Sequence, residues 1–510
     1  MKKLLLCFVL LFAVSAVNAK GGAEEKQQTI KLLGDKIEKG VEYLSSENYE
    51  KAFKHFKKYA KKGYADAQFN LAELYQKGVG IAQSDEEAAN WYKLSAEQGY
   101  VVAQFVLAEL YKKGLGVAQS DEEAAKWYFK SAEQGRVDAQ EILGRLYEQG
   151  IGVTQSYEEA AIWYRKAAEQ GSKDAQYSLA EFYFLGNGVP QSNEEAAAWW
   201  RKSAEQCSDK AQVKLASLYY KGLGVTQSNE EAAKWCLKSA EQGNDEAQLL
   251  LGFFYKYGLG VTQSYEESAK WTLKSAEQGN AQAQYEFGVL YYDGNGLSQS
   301  YEEAAKWYKK SAEQGYVLAQ FGLANLYFDG KGVAQSDREA AKWYLLAAEK
   351  GNDKAQLNCG GLYYQGRGVE QDYVKSAEWY LKSAEQGNRE AQFCLGLLYY
   401  KGVGVSQSYE EAIKWWQKSI EQGYAESQYN LGQLYYYGQG VKKDRKEAAR
   451  LFRLSAEQGL AEAQYNLGVL YYNGDGLPQS NDAAIKWWRK SAEQGHVGSK
   501  TVLDVLGVEY

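Results

Sequence analysis

The chain has 510 residues, with 59 Lys and Arg against 66 Asp and Glu, and a formal net charge of −7. Such a balance disfavours nucleic acid or an anionic membrane as the main partner, so neither is expected. Only two histidines occur, His55 and His496, and they lie too far apart to cooperate. Their scarcity argues against His/Cys metal sites and against Ser-His-Asp or Cys-His catalysis. We therefore predict no cofactor, no metal and no catalytic residues.

The first predicted element is a secretory signal peptide at residues 1–19. A basic start precedes the apolar run 4–14, and residues 17–19 (Val-Asn-Ala) form a small-residue cleavage site, with the cut expected after Ala19. The run is shorter than the roughly 20 residues that span a bilayer, which argues against a transmembrane anchor. The sequence thus predicts a secreted or periplasmic protein.

Residues 20–64 are predicted to form an N-terminal capping helix pair. Ala52 and Phe56 stand 36 residues before Ala88 and Tyr92, so this segment ends in register with the repeats after it. A terminal repeat needs a solvated outer face, and the six lysines between residues 51 and 62 fit that role. A docking patch is the alternative interpretation of these lysines.

From residue 65 to residue 496 one unit of 36 residues recurs, best seen at 281–316. The Ala or Ser at its third position falls at 67, 103, 139, 175, 211, 247, 283, 319, 355, 391, 427, 463 and 499. A fixed period of this size is typical of a solenoid, in which each unit must stack on its neighbours to bury its apolar face. We predict twelve repeats in one long all-α domain, closed by a C-terminal capping helix at 497–510.

Each unit contains two predicted helices. Ala283, Phe287 and Leu290 fall on one helical face, and Gly294 closes this first helix. The second helix opens at Ser300, which with Glu303 forms a capping box: the Ser oxygen accepts a backbone N–H while the Glu reaches back. The unit is therefore a helix-loop-helix hairpin.

Comparison of the copies separates fixed positions from variable ones. The Tyr75 position is Tyr in all twelve copies, and the pair Gly78 and Gly80 also recurs twelve times, as expected for a left-handed helix end and a tight loop. The Ala72 position is Ala or Gly throughout, which predicts that the two helices approach closely there.

The recurring pattern A-Q-x-x-L-[AG]-x-L-Y-x-x-G-x-G-V, followed by E-A-A-K-W-Y-x-K-S-A-E-Q-G, closely resembles the Sel1-like repeat, a relative of the tetratricopeptide repeat. The resemblance implies an α-solenoid of paired helices in a right-handed superhelix, with the first helices lining its concave side. It implies an adaptor or partner-binding role rather than any particular activity. Some cysteine-rich relatives are reported to bind or hydrolyse β-lactams, which makes a β-lactamase-like hydrolase one alternative. This chain lacks their paired cysteines and any S-x-x-K motif.

Four cysteines remain after the predicted signal peptide: Cys207, Cys236, Cys359 and Cys394. An even count in an exported protein permits disulfides. There is no C-x-x-C and no spacing that recurs per repeat, and Cys207 falls at a helix-end glycine position. We predict unpaired thiols.

Two rows of rings on the first helices are the candidate partner-binding residues. The position of Phe69 carries the first ring row: Phe69, Phe105, Tyr177, Tyr285, Phe321, Phe393, Tyr429 and Tyr465. The position of Gln76 carries the second ring row: Phe184, Tyr220, Tyr292, Phe328, Tyr364, Tyr400, Tyr436 and Tyr472, interrupted only by Lys256. By resemblance to the tetratricopeptide repeat both positions face the concave side. Tyrosine-rich walls suit an extended peptide or a glycan. For the first ring row the alternative is that the rings simply pack between neighbouring first helices, whereas the polar residues of the early copies show that the Gln76 position tolerates exposure.

The favoured function is therefore an exported, non-enzymatic scaffold, expected to be monomeric, that binds a partner protein on its aromatic concave face. A hydrolase and a chaperone-like adaptor in a secretory compartment are the alternatives.

Overall fold

A computed structural model describes residues 37–509, and within this range it contains helices joined by turns and loops, with no strand. The predicted signal peptide and the first part of the predicted N-terminal cap lie outside the described residues. The described helices number 27. They are α1 (37–45), α2 (Tyr49–Ala60), α3 (Ala65–Lys77), α4 (Asp85–Glu97), α5 (Val101–Lys113), α6 (Asp121–Glu133), α7 (Val137–Gln149), α8 (Tyr157–Glu169), α9 (Lys173–Leu185), α10 (Asn193–Glu205), α11 (Asp209–Lys221), α12 (Asn229–Glu241), α13 (Asp245–Tyr257), α14 (Tyr265–Glu277), α15 (Ala281–Asp293), α16 (Tyr301–Glu313), α17 (Val317–Asp329), α18 (Asp337–Glu349), α19 (Asp353–Gln365), α20 (Tyr373–Glu385), α21 (Arg389–Lys401), α22 (Tyr409–Glu421), α23 (Ala425–Tyr437), α24 (Arg445–Glu457), α25 (Ala461–Asn473), α26 (Asn481–Glu493) and α27 (Val497–Val505). The predicted all-α class and helix-loop-helix unit are confirmed.

The chain divides into two compact units. Among the described residues, unit one comprises 37–247 together with 259–261, and unit two comprises 248–258 together with 262–509. Within each unit, consecutive helices pack as antiparallel pairs and each pair packs on the next, as expected when repeats contact only their neighbours. No break in the repeat pattern marks this division in the sequence, which had predicted one long domain.

The second helices start at the predicted N-cap serines, but only half of the capping box is present. Ser300 Oγ accepts a hydrogen bond from Glu303 N at 3.2 Å. The Ser300 backbone N–H donates to Tyr291 O at 3.0 Å, so it is not available to the Glu303 side chain. Glu303 pairs instead with Lys306 on the next turn. The expectation that Glu reaches back to the N-cap is therefore wrong, because the invariant tyrosine's carbonyl already accepts that N–H.

The two loop glycines have different roles. The first, as at Gly114, ends the helix in the left-handed conformation with φ of 68°. The second also has positive φ, but it lies against the preceding repeat: a Cβ on Gly116 would stand 1.9 Å from the Asp85 carbonyl oxygen. The sequence had indicated a tight loop, and the structure adds an inter-repeat backbone contact that leaves no space for a side chain.

Small residues allow close helix packing, as predicted for the Ala72 position. In the repeat that begins at residue 281 this position is Gly288, and a Cβ there would lie 2.6 Å from a ring carbon of Tyr308 on the second helix. Tyr308 is itself buried, in a core cluster with Ala305 and Ala312. A larger side chain would force the pair apart.

A buried polar ladder joins successive repeats, and the sequence analysis did not foresee it. Gln104 is buried, and its Nε2 donates to Ala96 O at 3.1 Å, across to the preceding second helix. Gln134 Nε2 then donates to Gln104 Oε1 at 2.8 Å. The donor and acceptor of a buried amide are thereby both satisfied, so the pair costs little to bury while fixing the register of the stack.

All four described cysteines are unpaired. Cys236 and Cys359 are buried, Cys394 is partly buried and Cys207 is exposed. Burial raises the pKa of the Cys394 thiol to about 11, so this group stays protonated at neutral pH. Cys207 adopts φ of 62°, the left-handed conformation of the glycine it replaces.

None of the helices within 37–509 combines the length and apolar character needed to cross a bilayer.

Candidate partner-binding surface

The two ring rows lie on the exposed side of the first helices, and most of their members are in unit two. There the first ring row contains Tyr285, Phe321, Phe393, Tyr429 and Tyr465, and the second contains Tyr292, Phe328, Tyr364, Tyr400, Tyr436 and Tyr472. Unit one holds Phe69, Phe105, Tyr177, Phe184 and Tyr220. These rings are half-buried, apart from Tyr472, which is 41% exposed. No member is fully buried, so every ring retains a surface that a partner can contact.

The first ring row packs between elements as well as facing solvent. The Tyr285 ring centre lies 5.3 Å from that of Tyr308 on the paired helix α16 and 5.5 Å from that of Tyr316, the N-cap of α17. Phe393 contacts Tyr424 in the same way, at 5.4 Å. These rings therefore help to join neighbouring repeats, as the alternative interpretation of the sequence proposed.

The second ring row is fixed at its backbone. In nine of the described loops a glutamine side chain donates its Nε2 to the carbonyl of the residue at this position, as Gln407 does to Tyr400 O at 3.0 Å. That carbonyl belongs to the last turn of the first helix, where no intrahelical donor is available. The glutamine therefore satisfies an orphan carbonyl and holds the ring-bearing residue in place.

Side-chain contacts orient the same rings. Tyr400 lies 5.7 Å from Tyr409, the first residue of α22, and 5.8 Å from Trp416 further along that helix. Its hydroxyl donates to Gln439 Oε1 in the loop of the following repeat, at 3.4 Å. Aromatic contacts in offset or edge geometry add stability beyond the area they bury. Tyr400 is thus preorganised by its own repeat and by the next.

Loop residues of the following repeat form a polar rim along the second ring row. The Arg367 guanidinium lies 4.5 Å from the centre of the Phe328 ring and makes two hydrogen bonds to Asp337, at 2.8 and 3.1 Å. Three repeats further along, Arg445 occupies the position of Asp337 and Asp475 the position of Arg367. These two residues also form an ion pair, with acid and base exchanged. These pairs cross between repeats and border the rings with hydrogen-bonding groups.

The first helices of the two units differ in the number of charged residues that they carry. At the positions of Phe69, Asn70, Glu73 and Gln76, the six repeats from 281 to 496 carry a single charged residue, Glu286. The three repeats from 65 to 172 carry six: Glu73, Glu109, Lys112, Glu141, Arg145 and Glu148. These four positions of unit two therefore carry almost no charge, whereas the residue that follows the second ring row is charged in three repeats, at Asp293, Asp329 and Lys401.

The hydroxyls of three ring-row tyrosines, Tyr285, Tyr429 and Tyr436, remain neutral at physiological pH. Burial raises the pKa of Tyr285, of Tyr429 and of Tyr436 above the ordinary value. It raises the pKa of the neighbouring Tyr424 to about 12. Each hydroxyl consequently keeps both a donor and an acceptor at physiological pH.

Two features of the described residues concern the predicted absence of metal sites and the two histidines of the sequence. Between residues 37 and 509 no group of three or more His, Cys, Asp or Glu is placed to hold a metal ion. The His496 ring stacks on Tyr465 at 4.8 Å, and the His55 ring contacts Tyr59 at 4.9 Å, so both histidines pack among aromatic residues, one early and one late in the described chain.

Comparison with known proteins places this geometry in a family. The sequence profile described as the Sel1 repeat matches thirteen consecutive stretches: 32–64, 65–100, 101–135, 137–172, 173–206, 209–244, 245–280, 281–316, 317–352, 353–388, 389–424, 425–460 and 461–496. The chain belongs to the Sel1 repeat family. Twelve of its Sel1 repeats fall within 65–496, and the match at 32–64 falls inside the segment predicted to be a cap.

Two solved structures are similar to this Sel1 repeat chain at more than 30% identity. The first is c5321, described as a protective antigen present in uropathogenic Escherichia coli strains and displaying an SLR fold. It is 35% identical with a TM-score of 0.67, and the match covers 90% of this chain and 98% of that one. The second is a Sel1 repeat protein from Oxalobacter formigenes, 31% identical with a TM-score of 0.53, covering 64% of this chain and 93% of that one. No curated protein matches the sequence significantly.

The family and the fold together confirm the prediction of a Sel1-like, tetratricopeptide-related α-solenoid. Repeats of this family generally serve as non-catalytic scaffolds, typically for protein interaction, and this chain is a Sel1 repeat scaffold.

Proposed function

We propose that this Sel1 repeat chain is an exported, non-enzymatic scaffold that binds a partner protein along the second ring row of unit two. One observation carries the proposal. Six consecutive repeats each present a ring at the same position, from Tyr292 to Tyr472, that is never fully buried. Rings that only filled a core would be buried, whereas these keep an accessible face.

Preorganisation supports a binding role. Tyr400 is held at its carbonyl by Gln407, at its ring by Tyr409 and at its hydroxyl by Gln439. A partner that meets fixed rings loses little of their conformational entropy on binding, which favours affinity. Tyr and Trp are the residues that most often dominate the energy of protein interfaces.

An extended segment of the partner fits the arrangement best. The rings recur once per repeat along the stack, so a chain lying across the first helices would meet one ring after another. The polar rim from residues such as Gln439 and Asp475 would then bind backbone amides of that segment. A glycan is the competing ligand for such rings, and the binding experiment includes it.

Export is supported by the sequence of residues 1–19 and by a relative. The chain begins with a basic start, an apolar run and the Val17-Asn18-Ala19 cleavage pattern. The E. coli relative at 35% identity is described as a protective antigen, and such a protein has to be reached by host antibodies or cells. Fractionation of producing cells followed by N-terminal sequencing should recover a chain that begins at Lys20 outside the cytoplasm. Recovery of an intact Met1 terminus from the cytoplasm would refute this part of the proposal.

The binding role is tested by removing rings from the middle of the row. The triple variant Tyr364→Ala, Tyr400→Ala and Tyr436→Ala should keep the helical circular-dichroism spectrum and lose partner capture by more than tenfold, since interface aromatics commonly contribute about 2 kcal/mol or more each. The matched control replaces Tyr49, Tyr157 and Tyr265, each 39% exposed and outside the row, and should bind as the parent does.

Binding is measured in two ways. The parent and both triple variants are used to capture partner proteins from cell extracts, and each is also applied to a glycan array. Equal capture by both triple variants would show that the rings are not the binding surface. Ring-dependent capture of glycans with no captured protein would replace the protein partner by a carbohydrate.

A further inference from the structure

The repeat at 425–460 carries a basic edge, which we define as Lys442, Lys443 and Lys446. All three side chains are exposed. The loop and first turn at residues 442–447 hold four bases and two acids, whereas the equivalent residues 298–303 hold two acids and no base. The whole chain has a net charge of −7, so this stretch has the opposite sign of charge from the chain as a whole. The same repeat also departs from the others at two fixed positions, with Lys443 in place of Gln and Leu451 in place of Trp.

The neighbouring acids do not neutralise the basic edge. Asp444 Oδ1 accepts from the backbone N–H groups of Lys446 and Glu447, both at 3.0 Å, as the N-cap of α24. Two of the three guanidinium nitrogens of Arg450, Nη2 and Nε, donate hydrogen bonds to the Glu447 carboxylate, at 2.6 and 2.8 Å. Within residues 37–509 the three lysines of the basic edge have no ion-pair partner.

The basic edge is continuous with the second ring row. Arg445 stands between Lys443 and Lys446 in sequence, and its guanidinium carbon lies 5.5 Å from the centre of the Tyr436 ring. Tyr436 in turn contacts Tyr437 at 5.0 Å, and Tyr437 is 64% exposed. A ligand that covers the Tyr436 ring therefore also approaches the basic edge.

The free cations of the basic edge are lysine ammonium groups, which pair with a carboxylate as point charges. Arginine binds phosphate best, because its planar fork makes two parallel hydrogen bonds. Both guanidinium groups nearest the basic edge are already bound to carboxylates, Arg445 to Asp475 and Arg450 to Glu447. What remains is three lysine ammonium groups beside an aromatic surface that already accommodates the carboxylate of Asp475, 3.5 Å from the Tyr436 hydroxyl.

The other repeats that carry the second ring row in unit two have a different charge pattern from the repeat at 425–460. Along repeats 281–424 the positions of Phe69, Asn70, Glu73 and Gln76 carry one charge, Glu286, and the residues that follow the rings there are two acids and one base, so this stretch offers an acidic partner residue no cluster of ammonium groups. Near residues 442–446, by contrast, an acidic residue gains three ammonium neighbours.

We propose that the partner is an extended polypeptide whose stretch over the rings of residues 292–400 is uncharged and whose flank near Tyr436 carries Asp or Glu, bound by Lys442, Lys443 and Lys446. This inference rests on the proposed function of the ring row and adds which part of the bound segment is acidic and where that part lies.

The experiment pans a random 12-residue peptide library on three full-length proteins: the parent, the charge-reversed variant Lys442→Glu, Lys443→Glu and Lys446→Glu, and a matched control. The control is Lys93→Glu, Lys173→Glu and Lys486→Glu, which makes the same change of net charge at exposed lysines in other repeats. Because all six side chains are exposed, folding should be unaffected, and circular dichroism checks this. Peptides that also bind the triple variant Tyr364→Ala, Tyr400→Ala and Tyr436→Ala are then removed from each pool. Only peptides whose binding depends on the rings are kept.

The parent and the control should select peptides with Asp or Glu at one end and few charges elsewhere. The charge-reversed variant should select Lys or Arg at that same end, with the uncharged part unchanged. Synthetic peptides from the parent pool should bind the charge-reversed variant about tenfold or more weakly, and this difference should shrink as salt screens the charges.

Two results would overturn the inference, and they are distinguishable. Ring-dependent peptides whose end charge is absent, or does not change sign with the charge-reversed variant, refute the basic edge and leave the proposed function standing. A failure to enrich any ring-dependent peptide refutes the proposed function and this inference together.

Discussion

Lys350 interrupts the glutamine ladder that joins successive repeats, and it leaves the side-chain oxygen of Gln320 without a partner. In eleven other pairs, from Gln98 and Gln68 to Gln494 and Gln464, an amide nitrogen donates to the amide oxygen 30 residues earlier at 2.7–3.0 Å. Lys350 Nζ donates instead to Gly315 O at 2.6 Å, and Gln320 Oε1 is buried without a hydrogen bond.

Replacing Lys350 by Gln should stabilise unit two, because it gives the buried Gln320 oxygen a donor. An unsatisfied buried acceptor costs about 1–3 kcal/mol, so we expect the free energy of unfolding to rise by about 1 kcal/mol after the loss of the Gly315 contact. The reverse substitution, Gln386→Lys, removes an intact rung and should lower it by a similar amount. Urea titrations followed by circular dichroism measure both, and an unchanged midpoint for Lys350→Gln would show that the ladder adds no stability.

Replacing Cys207 by Gly should also be stabilising. Cys207 has φ of 62°, a conformation that costs a residue with a Cβ roughly 1–2 kcal/mol and glycine almost nothing. Glycine loses about 0.5–1 kcal/mol more entropy on folding, so the net gain should be small, about 0.5 kcal/mol. The control is Gly171→Ala at the equivalent position, with φ of 95°, which should be destabilising. If both substitutions moved the thermal midpoint in the same direction, the argument from φ would fail.

The two kinds of glycine with positive φ should tolerate alanine to different degrees. A Cβ on Gly116 would stand 1.9 Å from the Asp85 carbonyl oxygen, whereas a Cβ on Gly99, with φ of 89°, would have no atom within 4 Å. Gly99→Ala adds only backbone strain of about 1–2 kcal/mol. Gly116→Ala must also displace the neighbouring repeat, and we expect at least about 2 kcal/mol more.

Hydrogen exchange separates these two substitutions further. For Gly116→Ala the loss of protection should centre on α4 to α6, since each repeat contacts only its neighbours. Equal destabilisation by Gly99→Ala and Gly116→Ala would contradict the steric explanation.

The sequence predicted the helices well because their determinants are local. The 36-residue period, the N-cap serine at Ser300 and the helix-ending glycine at Gly294 are each read from a few adjacent residues, and all three are confirmed. The contact between Gly116 and Asp85 could not be predicted, because it joins residues of different repeats through a backbone atom. The Gln104 and Gln134 ladder was missed for a related reason: a recurring buried amide gives no hydrophobic signal, although its recurrence among the copies was available.

The candidate surface was predicted less completely. The variable ring positions were found from the internal comparison of copies, and the structure places both rows on the first helices with no ring fully buried. Contacts such as Tyr285 with Tyr316 could not be inferred from the sequence, because they depend on how one hairpin leans on the next. The basic edge at Lys442 to Lys446 was visible in composition, but its continuity with the Tyr436 ring depends on the position of Arg445.

Stability should fall at alkaline pH because buried tyrosines resist ionisation. Burial raises the pKa of Tyr100 and of Tyr424 to about 12, with nearby carboxylates adding to the shift, against an ordinary value of about 10. A group whose pKa is higher in the folded than in the unfolded chain stabilises the fold fully below the unfolded pKa. That contribution is lost progressively between about pH 10 and pH 12, as the unfolded chain ionises and the folded chain does not. Absorbance at about 295 nm should therefore show exposed tyrosines titrating first and the buried ones only as the far-ultraviolet helical signal is lost. A single titration near pH 10 with the helical signal intact would show that these hydroxyls are not shielded, and Tyr424→Phe should shift the alkaline unfolding midpoint upward.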